Sequence, residues 1–205
     1  LAESFANSGF DIKHLIRTIC NSHAYQLDST PNQNNATDNK SFARFYPRRM
    51  AAEILLDAIS QSLEVPTVFP GGPGQFPEGT RAIELPDENV AIAFLDVFGR
   101  PARFKACECE RIDSPTLAQG LELVNSQQIQ DKLAAETGFI QRLADNNVSH
   151  AINVNLVFLT LMGRLPIDAE KQVAIEYLDT VEDRAEAYRN LVWSLLATNE
   201  FMFIR

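Results

Sequence analysis

The sequence predicts a mainly α-helical fold with one irregular Pro/Gly-rich insertion and at most a small β element. Three observations predict it. Apolar residues recur at three- and four-residue spacing through most of the chain. Ser, Asp or Pro stands just ahead of several of these runs, as helix starts. Residues 64–92 carry five prolines, at 66, 70, 73, 77 and 86, with glycines at 71, 72, 74 and 79, a composition that supports neither helix nor central strand.

A length of 205 residues suffices for one sizeable core, and residues 1–205 read as a single helical domain. The opening LAESFANSGF reads as the end of a helix, so the chain is expected to be a fragment of a larger protein. A net charge of −9 argues against nucleic acid, whose phosphates call for a basic patch. No run of about 18 apolar residues exists, so no membrane span is expected. Three cysteines are too few for a disulfide scaffold, although Cys20 could bridge to Cys107 or Cys109 in an oxidising compartment.

In chain order, Asp11 caps a helix to about Tyr25 that sets Ile12, Leu15, Ile16, Ile19 and His23 on one face and His14 opposite. His23 reads as a core or boundary residue. Residues 28–41 form a polar loop with nothing to pack. Pro47 starts a helix with an apolar face of Met50, Ala51, Ile54, Leu55 and Ala58. Arg49, Glu53 and Asp57 then form a surface ladder, or Arg48 or Arg49 reaches into a neighbouring lobe. RAIELPD and AIAFLDVFG are each long enough for a short strand, and the second is equally compatible with a short helix.

Ser114-Pro115 opens a helix with the stripe Leu117, Leu121, Val124, and Ser126 caps another carrying Ile129 and Leu133. Helices follow near 127–136, 138–145 and 149–162, the last with Ile152, Leu156 and Leu159 inward and Gly163 as its C-terminal glycine. Asp168 caps a helix to about Thr180. A final helix from Glu182 to about Asn199 turns Ala185, Tyr188, Val192, Leu195 and Leu196 inward, with Trp193 in core or interface. The apolar EFMFIR docks on the body.

Candidate chemistry concentrates in residues 98–125. If Arg103–Glu110 runs extended, Cys107 and Cys109 point to one face and Glu108 and Glu110 to the other. Cys107 and Cys109 are weak metal candidates, because Cys-x-Cys is tighter than the usual zinc knuckle and no second pair exists. Glu108, Glu110 and Arg111 are the candidate catalytic residues, two carboxylates at a spacing that suits glycoside hydrolysis. Arg48, Arg49, Arg100 and Arg103 are the candidate binding residues. The competing structural reading pairs Arg48, Arg100 and Arg111 with Glu53 and Glu110 to pin the irregular middle to the helices. PGGPG lacks the Lys, and the strand and helix on either side, of a phosphate-binding loop.

Five separated blocks occur in order: GFDIKHLIRTICNSHAYQLDS, YPRRMAAEILLDAIS, FGRPAR with CECER and PTLAQGLELVNS, LMGRLP, and WSLLATNEFMF. On these blocks the chain resembles, over nearly its whole length, the C-terminal domain of unknown function in large planctomycete-type proteins. There it commonly follows another uncharacterised domain and often an N-terminal cytochrome-c-like domain. The resemblance implies a secreted or cell-envelope, multi-domain setting and carries over no established activity. Where that family often has a Thr cap after GRLP, this chain has Ile167, and Asp168 is expected to take the role. The fragment has no Cys-x-x-Cys-His motif, so no cofactor is expected within it, and any haem belongs to a separate domain.

The first expectation is therefore a non-catalytic assembly, docking or ligand-binding module of a larger extracytoplasmic protein. Its partners would be other domains of the same parent, or a polysaccharide or protein. The alternative is an enzyme domain, polysaccharide-directed or redox-linked, with its site near residues 100–111.

Overall fold

A computed structural model describes residues 1–38, 40–70, 76–77, 79–86, 90–101 and 116–204, without the side chain of Val124. The fold is mainly helical. The one sheet among the described residues pairs β1 (Arg48–Arg49) with β2 (Phe203–Ile204). The chain forms two compact units, Leu1–Arg48 with Phe203–Arg205, and Arg49–Met202.

The first unit holds α1 (Ala2–Asn7) and α2 (Ile12–Cys20). Asp11 caps α2 as expected, its carboxylate accepting from the Lys13 N–H at 2.8 Å. The helix stops at Cys20 rather than near Tyr25. There the Ser22 hydroxyl donates to the Ile19 carbonyl and the Gln26 amide to the Cys20 carbonyl, taking up carbonyls a longer helix would use. His23 is exposed beyond the helix, not in a core. Among residues 28–38, 40 and 41 the chain closes on itself through Asx turns. Asn35, 8% exposed, accepts from the Asn32 N–H and donates to the Ala43 carbonyl.

The second unit runs from α3 (Ala52–Leu63) through α4 (Ala93–Val97), α5 (Leu117–Asn125), α6 (Gln127–Leu133), α7 (Phe139–Asp145), α8 (His150–Met162), α9 (Asp168–Thr180) and α10 (Arg184–Leu196) to α11 (Asn199–Met202). The helix expected from Pro47 begins only at Ala52. Arg48–Arg49 is extended instead, and the Met50 N–H goes to the Met202 carbonyl at 2.9 Å. In α3, Leu55, Leu56 and Ile59 are fully buried. Two carboxylates of the expected surface ladder turn elsewhere. Glu53 is 1% exposed, and Asp57 accepts from the Ala82 and Ile83 N–H groups. That cap winds Ala82–Glu84 of the expected strand into a 3-10 turn. AIAFLDVFG takes the helical option as α4, burying Phe94 and Leu95 and stacking Phe94 on Phe98 at 4.4 Å. Phe69, Ala82, Leu85 and Val90, from the Pro/Gly-rich stretch, join the same core.

Two inward faces differ from expectation. In α5, Leu117 and Leu121 are exposed, whereas Gln119 and Leu123 are buried. Gln119 forms a capping box with Thr116 and donates to the Val97 carbonyl, so its amide is satisfied inside. In α8, Ile152, Leu156 and Leu159 face outward, and Asn153, Val154, Val157, Phe158 and Leu161 are buried. The helix is apolar nearly all round, so spacing alone does not choose a face. Asn153 chooses it, its amide N–H groups donating to the Leu143 carbonyl and the Tyr188 hydroxyl and its oxygen accepting from the Asn146 amide.

Gly163 ends α8 in the left-handed conformation, as expected. The N-cap of α9 is Ile167, not Asp168, because the Glu170 carboxylate accepts the Ile167 N–H at 2.9 Å. Asp183 caps α10, accepting from the Ala185 and Glu186 N–H groups. Gly138, before α7, has φ +95°, and a Cβ there would lie 2.6 Å from the Leu63 carbonyl oxygen. Phe201 of the C-terminal run is buried, as expected.

Candidate functional site

Arg103, Cys107, Glu108, Cys109, Glu110 and Arg111 lie outside the described residues. Of the remaining candidate arginines, Arg49 and Arg100 each bond groups at the C-terminal end of α4. Arg49 donates to the Phe98 carbonyl at 3.0 Å, with its guanidinium 5.3 Å from the Phe98 ring centre. The Arg100 side chain is 5% exposed, donates to the Val90 carbonyl at 2.9 Å and pairs with Asp96 at 2.7 Å. These contacts lock a helix end. Arg48 is exposed in β1. Among the described residues no group of three or more His, Cys, Asp or Glu could hold a metal.

Two other polar clusters are engaged internally. His150 Nδ1 lies 2.8 Å from the hydroxyl of Tyr188, which is fully buried, so this pair ties α8 to α10 rather than facing a cleft. Lys132, only 5% exposed, donates to the Val65 carbonyl at 2.7 Å. Burial pushes its ammonium down to about 8, against the opposing pull of the Asp57 carboxylate.

An open groove of about 730 Å³ lies between α9 and α10, with Phe158 of α8 at its base. Its walls are chiefly Val173, Ala174, Tyr177, Leu191, Trp193 and Leu195. Val173 is 66% exposed and Tyr177 36%. The Tyr177 hydroxyl accepts from the Asn190 amide at 2.8 Å, leaving its own hydrogen to donate. Trp193 Nε1 is buried with no hydrogen-bond partner among the described residues. Ser194 is occupied, donating to the Leu191 carbonyl.

One end of the groove is fixed by charge. Arg164 makes two 2.8 Å bonds to Glu170, and bonds of 2.8 and 2.9 Å to Glu200. The same guanidinium sits 5.5 Å from the Phe158 ring centre. Hydrogen bonding to Arg164 holds the Glu170 carboxyl down at about 2, and the arginine is shifted upward in turn. The arrangement suits binding of an apolar surface, with a few polar groups to orient it.

Sequence reasoning missed this groove. Its signal is a second apolar line on α9, Val173 and Tyr177, outside the buried Ala174 and Leu178. Trp193 was placed correctly in outline: it is half-buried against the core and borders the groove.

No curated protein and no solved structure matches the chain. A model of the family described as PSD1, a protein of unknown function (DUF1553), matches residues 1–178, from α1 to near the end of α9. The chain therefore belongs to the PSD1 family of proteins of unknown function (DUF1553).

Proposed function

We propose that the chain is a non-catalytic docking module of a larger extracytoplasmic protein. Its α9–α10 groove takes an amphipathic segment from another domain of the same polypeptide. The observation that carries this is the open apolar groove itself, with Val173 66% exposed above Phe158 at its base. The five-block resemblance supports the setting: a planctomycete-type parent with further domains, one of them cytochrome-c-like and the bearer of any haem. Radical footprinting at Tyr177 and Trp193 tests the reading, in this chain alone and in the longer parent. Docking protects both side chains in the parent, and Val173→Asp restores their labelling. Equal labelling in both proteins overturns the proposal.

A further inference from the structure

We infer that the segment seated between α9 and α10 is a helix whose apolar stripe is flanked by Lys or Arg, an inference that rests on the docking reading above. The three-residue link Val181–Asp183 makes α9 and α10 adjacent and antiparallel. Two such helices leave a trough between their ridges. A third helix fills it with apolar anchors at i, i+3, i+4 and i+7. Val173 and Tyr177 form one wall and Leu191 and Leu195 the other.

Charge selects the flanks. The lining has no basic side chain, and its one charged side chain, Glu170, is already paired with Arg164 at the groove's end, so the exposed carboxylates beside the groove set its field. From Asp168 to Leu196 the chain has seven carboxylates against three basic residues. Two of those three are turned to other elements: Arg184 donates to the Leu143 and Val148 carbonyls, and Arg189 to the Leu133 carbonyl. Glu186, exposed, precedes Asn190 by four positions and Ser194 by eight, so it extends the stripe that borders the groove. Glu182 and Asp183, both exposed, stand at the link. A basic flank meets this field favourably. Pairing with the α9–α10 hairpin of a second copy would set like charges together, and anionic lipid would be repelled.

The test uses three helical peptides without tryptophan. They share one apolar stripe and carry Lys/Arg, Gln or Glu flanks. Trp193, the single tryptophan of the chain, reports binding by fluorescence. The Lys/Arg peptide is expected to bind about tenfold tighter than the Gln peptide and tighter still than the Glu peptide, the gaps narrowing in high salt. Val173→Asp, at an exposed position, should abolish binding of all three with the helical circular dichroism unchanged. Glu186→Lys should shrink the preference while keeping the apolar grip. Equal binding of all three overturns the charge inference and leaves the docking reading standing. Binding of none overturns both. A wild-type dimer that Val173→Asp dissociates assigns the groove to a second copy and overturns the inference.

Discussion

Residues 1–48 and residues 49–202 hold their backbones in opposite ways. In the first unit no residue of α1 or α2 is buried, and Asn35 is the one buried residue among those described. Order there comes from short-range polar contacts. Asp28 accepts from Thr30, Asn32 from Asn34 and Asn35, and Asp38 from Lys40 and Ser41. Those N–H groups hold the Asp28 and Asp38 carboxyls below the usual range. In the second unit the order comes from contacts distant in sequence, with a core running from Ala52 to Phe201. The contrast is between satisfying backbone polar groups and removing apolar surface from water. Each local hydrogen bond adds only about 1 kcal/mol net. Full burial of a large apolar side chain adds about 1.5–3 kcal/mol. Cooperative stability should therefore reside in the second unit.

The largest expected effect sharpens this directly. Phe94→Ala, at a fully buried site stacked on Phe98, should cost about 3–5 kcal/mol in urea unfolding. Ile16→Ala, 55% exposed on α2, should stay within about 0.5 kcal/mol. Comparable losses at the two sites would erase the distinction. Next comes Asn153→Leu, which leaves the Leu143 carbonyl and the Tyr188 hydroxyl short of a buried donor. A loss of about 2–3 kcal/mol is expected, and a neutral result would mean the α7–α8–α10 junction is set by packing alone.

Lys132 predicts a rise with pH. Its folded value, about 8, lies below the ordinary 10.5, so between those values the unfolded chain binds more protons. Wild-type stability should therefore increase from about pH 8 to 10.5 relative to Lys132→Met, by on the order of 1 kcal/mol after solvent screening. Parallel profiles for the two proteins would count against a strained buried ammonium. The smallest effect concerns Glu170. Its depressed carboxyl contributes stability that is present above about 4.5 and lost as pH falls through about 2. Glu170→Gln should remove that acid-dependent component, costing about 0.5–1 kcal/mol near neutrality. Thermal midpoints at pH 2, 3, 4 and 7 measure it, and an unchanged acid slope in the variant would show that Arg164 holds nothing at this end of the groove.

Local chemistry was legible. Asp11 and Gly163 begin and end helices where their side-chain and backbone preferences place them, and Ser126 stands at the start of α6 without a side-chain cap bond. In the Pro/Gly-rich stretch the buried residues Phe69 and Leu85 were not legible, since burial without periodicity leaves no pattern to find. The catalytic and metal candidates of the sequence reading lie among residues 103–111, outside the described residues. The groove was not legible, because it is built by residues around 158, 170–177 and 190–195 that only the fold brings together.

By itself, then, the sequence determined the helical class, several of the helix ends and the acidic balance, because propensity, capping and charge act within a few residues. Tertiary structure decided which face of each helix turns inward. On α5 and α8 the apolar residues were abundant enough to permit either face. The choice fell to buried amides, Gln119 and Asn153, because a polar group enters the core only where distant partners satisfy it. The groove follows from the same cause: α9 and α10 present apolar side chains beyond those the core takes in, and only the packing of both against Phe158 makes them one surface.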